Sequence, residues 1–341
     1  MFLEDLSKLA GVSGDEKAVR DYIRGRIEGL ADEVRTDALG NLIAVKGEGN
    51  EGPRVMLAAH MDEVGLMVVG IGKDGMLRVD TVGGVDERVL VSKHVRVGEN
   101  GIKGVIGSKP IHLQEPDERK SPIKLKSLYV DIGANDKADA ESVVRLGDSV
   151  VFATDPSQFG EGLMKGKAFD DRAGCSVLME LAQGDYSFPL YLVFTVQEEV
   201  GLRGARVAAH QIGPDMCIAV ETTSAGDVLG APDHRKSTEI GKGPALTFMD
   251  RSVIVQEALL ERLMDSAREE EIPFQLRRVT AGGTDAGAAF ISKDGVPSAT
   301  VSIPCRYIHS PVSVLSLEDY SNTVKLVRAF LHSIDRKGLP S

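Results

Sequence analysis

Thiols are scarce in this chain: 341 residues include three cysteines, Cys175, Cys217 and Cys305. An odd number in unrelated contexts excludes a disulfide framework and a thiolate zinc knuckle, fits a reducing compartment, and suggests core positions. Long apolar runs are missing too. Nothing approaches the 18 or so uninterrupted residues of a membrane span. The stretch Met1 to Leu9 carries Glu4 and Asp5 where a secretory signal would be basic and then apolar. The expectation is a cytoplasmic protein with no membrane partner. Positive charge is in deficit, 40 Lys and Arg against 51 Asp and Glu for a net charge of -11. That field repels phosphate backbones and argues against nucleic acid as a partner. Arg277-Arg278 and Lys120, Lys124 and Lys126 lack interleaved aromatics and read as solvated faces.

What remains, 42% hydrophobic and 27% charged, is ordinary globular composition, and the length suits two domains or one domain with an insertion. Ser13-Gly14-Asp15-Glu16 reads as a capping box, and Val19, Tyr22, Ile23, Ile27 and Leu30 follow at helical spacing, which predicts a helix over 14 to 30. Strands are predicted at 33 to 36, 41 to 45 and 55 to 59. From about 66 to 162, short Val/Ile/Leu runs broken by Gly and Asp turns indicate a small all-β module. Beyond it helices at 173 to 183, 203 to 210, 252 to 271 and 316 to 334 alternate with strands at 190 to 196, 216 to 221 and 296 to 303. The simplest architecture is an α/β domain built from residues 1–65 and 163–341, with a β-rich insertion at 66–162. Two independent domains are the alternative.

Acids and histidines fall just after apolar strands, which is where open α/β sheets bind ligands. His60 ends the strand 55 to 59, with Asp62 two residues on, so that on an extended chain the carboxylate could orient the imidazole. Asp170-Asp171 opens a helix, where capping is the bland reading but accounts less well for two acids in a row. Glu198-Glu199 follows the strand 190 to 196, Glu221 ends another, and His309 follows a fourth. No clustered Arg or Lys neutralises these carboxylates, whereas divalent metals would. Nitrogen and oxygen ligands without thiolate suit zinc, cobalt or manganese, and a bridging carboxylate would allow two ions about 3.5 Å apart. Neighbours such as Glu198 and Glu199 are poorly placed for a glycosidase, no Gly-x-Ser-x-Gly elbow exists, and Gly282 to Gly287 lacks a phosphate-loop ending and reads as a close-approach loop lining the site.

Ala59-His60-Met61-Asp62-Glu63-Val64-Gly65, Lys167 to Gly174, Gln197-Glu198-Glu199-Val200-Gly201, Gly282 to Gly287 and Arg306 to Pro311 together resemble the glutamyl/leucyl aminopeptidase family. These are tetrahedral, self-compartmentalising dinuclear metallo-aminopeptidases, some once labelled endoglucanases. The motifs run in the family's order from residue 59 to 311. The resemblance implies a mixed central sheet flanked by helices, zinc-exopeptidase-like, interrupted by a β-rich dimerisation domain, with dimers that assemble into a hollow dodecamer. It also implies two divalent ions per subunit, zinc or cobalt: one held by His60 and Glu221, the other by Glu199 and His309, with Asp170 bridging. Asp62 would orient His60 and Glu198 would act as general base. The substrates would be short peptides with a free N-terminus. Many relatives carry Asp at the position of Glu221. A deacylase or carboxypeptidase on the same fold is the rival enzyme, and a non-enzymatic assembly protein with a decayed site is the rival from another class.

Overall fold

A computed structural model describes residues 1–340. Its larger part is an eleven-stranded mixed sheet. Four central strands, Leu190–Thr195, Val55–His60, Met216–Ser224 and Ser298–Arg306, lie parallel in that spatial order, so all four end on one edge. Antiparallel strands flank them, Glu33–Thr36 and Leu42–Lys46 on one side, Ser313–Ser316, Leu163–Gly166 and Ser157–Phe159 on the other.

The period-two alternation of each central strand decides which helices cover which face. Leu57, Ala59, Leu192, Phe194, Ile218 and Val220 pack with the helices Phe2–Lys8, Lys17–Ile27, Phe169–Leu181, Glu257–Glu269 and Leu317–Lys337. Met56, Ala58, Val193 and Cys217 face the other way, onto Arg203–Ile212 and Asp285–Phe290. Burial on both faces is why these strands read as continuous apolar runs. The three cysteines are buried and unpaired.

Between Gly65 and Phe152 six strands close into a separate barrel with its own core, including Leu66, Leu77, Leu90, Val97, Val130 and Phe152. The strand Ser157–Phe159 follows the barrel and pairs with the large sheet. Among the described residues no helix is long and apolar enough to cross a membrane.

Several predicted elements shift for physical reasons. Ser13 caps no helix: its hydroxyl donates to Asp62 Oδ2 at 2.6 Å, Glu16 accepts from Gly14 N at 2.7 Å, and the helix runs only over Lys17–Ile27. The helix predicted from 252 begins at Glu257, because the Asp250 carboxylate gathers the Ser252 and Val253 amides into a turn. The strand 216 to 221 continues to Ser224, so Glu221 lies within a strand rather than at its end.

Candidate active site

The common edge of the four parallel strands opens into a cavity of about 680 Å³, lined among others by His60, Asp170, Glu198, Glu199, Glu221 and His309. Three of the loops that bring these side chains in hold a non-glycine residue at positive φ: Ala168 (54°), Gln197 (55°) and both Tyr307 (60°) and His309 (56°). Left-handed backbone at such residues is a local cost that the surrounding packing sustains, and it recurs where side chains are held for function.

Asp170 lies between the two imidazoles. His60 Nε2 is 3.3 Å from Asp170 Oδ1 and 3.9 Å from Glu198 Oε2, while His309 Nε2 is 3.2 Å from both Asp170 Oδ2 and Glu199 Oε1. Glu199 Oε1 is buried yet has no aligned hydrogen bond. Ligating atoms of His60, Glu198 and Glu199 lie within 4.8 Å of one another, as do those of Asp170, Glu199 and His309. Glu221 lines the same cavity, but its nearest polar contact is structural: Oε1 accepts the Asp285 amide at 2.9 Å.

Asp62 meets His60 as the sequence expected, but mainly through its backbone, and its carboxylate has further partners. His60 Nδ1 meets the Asp62 backbone carbonyl at 3.0 Å, while the carboxylate stands back at 3.6 Å. The strand ends at His60, and beyond it the Asp62 carboxylate reaches the imidazole at ion-pair distance while the backbone carbonyl makes the hydrogen bond. The carboxylate also accepts the amides of Glu198 at 3.0 Å and Glu199 at 3.2 Å, and thereby pins the loop that carries both acids. The adjacent pair at the helix start also divides its work. Asp171 is the cap, accepting from Gly174 N at 2.9 Å and His60 N at 3.3 Å, and Asp170 is left free to face the cavity. Gly174 has no substitute here, since a Cβ would sit 2.1 Å from the Val220 carbonyl.

The electrostatics follow from burial. Removal from water pushes the Glu198 and Glu221 carboxyls well above their usual range, reinforced by the neighbouring carboxylates; Glu199 moves the same way. Burial pulls His309 down, but Asp170 and Glu199 outweigh it and raise the imidazole to about 11. His60 is likewise driven up against its burial, chiefly by Glu198 and Asp170. The cluster therefore demands positive charge and, in the bare protein, meets that demand with protons. An N/O donor set with an orphaned buried oxygen and two imidazoles fits divalent cations, which would displace those protons.

Sequence reading missed five contributors. Glu63, Lys167 and Arg172 form a buried ion cluster beside the site, with Lys167 Nζ 2.6 Å and Arg172 Nη2 3.3 Å from Glu63 Oε1. Asp285, fully buried, receives the Thr195 hydroxyl at 2.5 Å, and burial raises its carboxyl to about 6. A lone acid among the glycines and alanines of Gly282 to Gly287 was the available signal. Ala281 to Thr284 do line the cavity, and Arg277, read as part of a solvated face, lines it as well.

The sequence profile of M42 glutamyl aminopeptidases matches residues 40–326. A lysyl aminopeptidase of Pyrococcus furiosus is 39% identical over 337 residues, covering 95% of this chain and 94% of that one. Among solved structures, a TET aminopeptidase from the marine sediment archaeon Thaumarchaeota archaeon SCGC AB-539-E09 superposes with a TM-score of 0.93 at 40% identity, covering 97% of this chain and 94% of that chain. The Pyrococcus horikoshii TET1 peptidase, described as assembling into a tetrahedron or a large octahedral shell, gives 0.86 at 35% identity, with 96% and 98% covered. Similarity of this extent, sustained from the first strands of the sheet to its last helix, establishes that the chain belongs to the M42 glutamyl aminopeptidase family and is an aminopeptidase, a hydrolase of peptide bonds.

Proposed function

We propose that this chain releases N-terminal amino acids from short peptides with two divalent ions, zinc or cobalt, held in the cavity by His60, Asp170, Glu199, Glu221 and His309. The observation that carries the reading is the convergence of residues from distant segments into two adjoining groups, His60 with Glu198 and Glu199, and Asp170 with Glu199 and His309, the ligating atoms within each lying within 4.8 Å of one another. When bound, the ions would lower the pKa of a water toward neutrality and polarise the scissile carbonyl. Glu198 takes the proton of the attacking water and returns it to the leaving amine, a role supported by its place in the cavity and by its 3.9 Å approach to His60 Nε2. Asp62 holds the Glu198 and Glu199 amides and so acts as a positioning residue for the base. Excess carboxylate in the cavity favours the ammonium of a free peptide N-terminus, which would make cleavage proceed from that end.

Glu221 supports this reading least directly, since one of its oxygens is already engaged by the Asp285 amide; the other oxygen is the one available to an ion. We further propose that the chain divides into a catalytic part, 1–65 with 163–341, and a β-rich part, 66–162, whose last strand, Ser157–Phe159, pairs back onto the catalytic sheet and through whose barrel subunits pair, that larger shells form from such dimers, and that the protein works in the cytoplasm. The separate apolar core of the barrel and the shell-forming TET1 neighbour support the first two points, and three unpaired cysteines fit the last.

The test is an assay of chelated protein on aminoacyl-anilides and on free and N-acetylated peptides, with zinc or cobalt added back. Activity is expected to vanish on chelation and return with metal, on free-amine substrates. Full activity without metal contradicts the reading, and release from N-acetylated peptides alone would favour a deacylase.

A further inference from the structure

Arg277 stands out in the cavity wall. The residues lining it supply several carboxylates and two imidazoles, and Arg277 is the one Arg or Lys among them. It follows the short strand Gln275–Leu276, and its amide is fixed to the Leu246 carbonyl at 2.9 Å. Its guanidinium donates from Nη2 to the carbonyl of Ala281, in the glycine-rich loop that also lines the cavity. Nε is buried without an acceptor. Among the described residues no carboxylate lies within 4.0 Å of it, although other arginines with carboxylate partners, Arg172 on Glu63 and Arg306 on Asp227, show what a paired guanidinium looks like in this protein. Burial depresses the guanidinium more than the charges of Asp250 and Glu221 support it.

A half-buried cation held by one neutral carbonyl is costly to keep for a loop contact alone, because a neutral donor would serve the Ala281 carbonyl without the desolvation. A planar guanidinium fork is suited to a carboxylate. Other basic residues near this edge do not compete. Lys236 is held by Asp233 at 2.8 Å and Glu239 at 3.7 Å and lies outside the cavity lining, as does the exposed Arg235.

We propose that Arg277 is a specificity-determining residue that receives a carboxylate of the bound peptide. Two sources share that chemistry: the acidic side chain of the first residue, or the C-terminal carboxylate of a very short peptide. The inference rests on the peptidase reading of the same cavity and assigns its preference. Among the side chains of the cavity wall Arg277 is the one suited to favour an anionic substrate group over its neutral counterpart.

The experiment uses metal-loaded protein and four substrates: glutamyl- and glutaminyl-anilide, which lack a free C-terminus, and a neutral dipeptide with its C-terminal amide. Wild-type kcat/KM should favour either the glutamyl over the glutaminyl anilide, or the acid over the amide, by about tenfold or more, the span of one charged hydrogen bond. The ratio that is large identifies the source. In Arg277→Met that ratio should collapse toward one through KM, and Arg277→Lys should restore part of it. Calorimetry should show L-glutamate binding more tightly than L-glutamine to wild type, or no difference if the C-terminus is the source. If the wild type shows neither preference, or if the preference survives in Arg277→Met, the assignment is overturned. Absence of cleavage of all four substrates would instead overturn the peptidase reading beneath it.

Discussion

Two buried charge clusters sit side by side and neutralise themselves differently. Glu63 is held between Lys167 and Arg172, and these cations also take carbonyls of the N-terminal segment: Lys167 bonds Leu9, and Arg172 bonds Leu6 and Gly11. This cluster carries its own counter-charge and ties the first helix to the strand end at Met61, whose carbonyl Arg172 also engages at 2.7 Å. The neighbouring cluster of Asp170, Glu198, Glu199 and Glu221 with His60 and His309 has no such cation within it. A buried group that imports its charge is poised to bind something, and one that is already balanced is a brace. The sheet edge thus separates holding from reacting within a few residues.

Breaking that contrast should produce effects of graded size. Glu198→Gln removes the proposed base and should lower kcat by about 10² to 10⁴ with metal content unchanged; turnover within a few-fold of wild type would remove Glu198 from that role. Glu63→Gln strands two buried cations and should cost about 3–5 kcal/mol in denaturant unfolding. Lys167→Met leaves Glu63 still paired with Arg172 and should cost less. The reverse order would mean that the triad is not the brace described. In the barrel, whose core is apolar, Leu77→Ala should cost about 2–5 kcal/mol and move kcat/KM far less than Glu63→Gln does.

A pH comparison sharpens the brace further. Burial pushes Lys167 down to about 8. Between that value and the ordinary lysine range the unfolded chain holds a proton that the folded chain has released. Folding then binds fewer protons, and stability should rise with pH across that window relative to Lys167→Met. A flat difference between the two proteins from pH 8 upward would contradict it. The smallest effect belongs to Lys17→Ala, which removes an exposed pair with Asp21 and should leave unfolding unchanged within error.

Much of this edge was legible because strands buried on both faces announce themselves as apolar runs, and a charge at the end of such a run is conspicuous: His60, Glu198 and His309 were found that way. Roles that depend on backbone direction were not legible. Asp62 turns its carboxylate to two amides of another loop, 136 and 137 residues away in sequence, and no local pattern encodes that partner. Ser13 looked like a cap because its competitor for the hydroxyl, Asp62, is 49 residues distant. Arg277 was hidden by its neighbour: a pair of adjacent arginines reads as surface, and only the fold sends one to the cavity while the other stays exposed. The six-stranded barrel was visible as texture, but its closure is set by long-range pairing, such as Leu66 with Val150.

The central claim is that the unbalanced cluster is completed by a pair of cations. Calorimetric titration of metal-stripped protein with zinc, in buffers of different ionisation enthalpy, tests it directly. The account predicts saturation at two ions per chain with release of protons from the imidazoles and raised carboxyls, and loss of at least one site in His60→Ala and in His309→Ala. Saturable binding that is absent, or that persists undiminished in both variants, would contradict it.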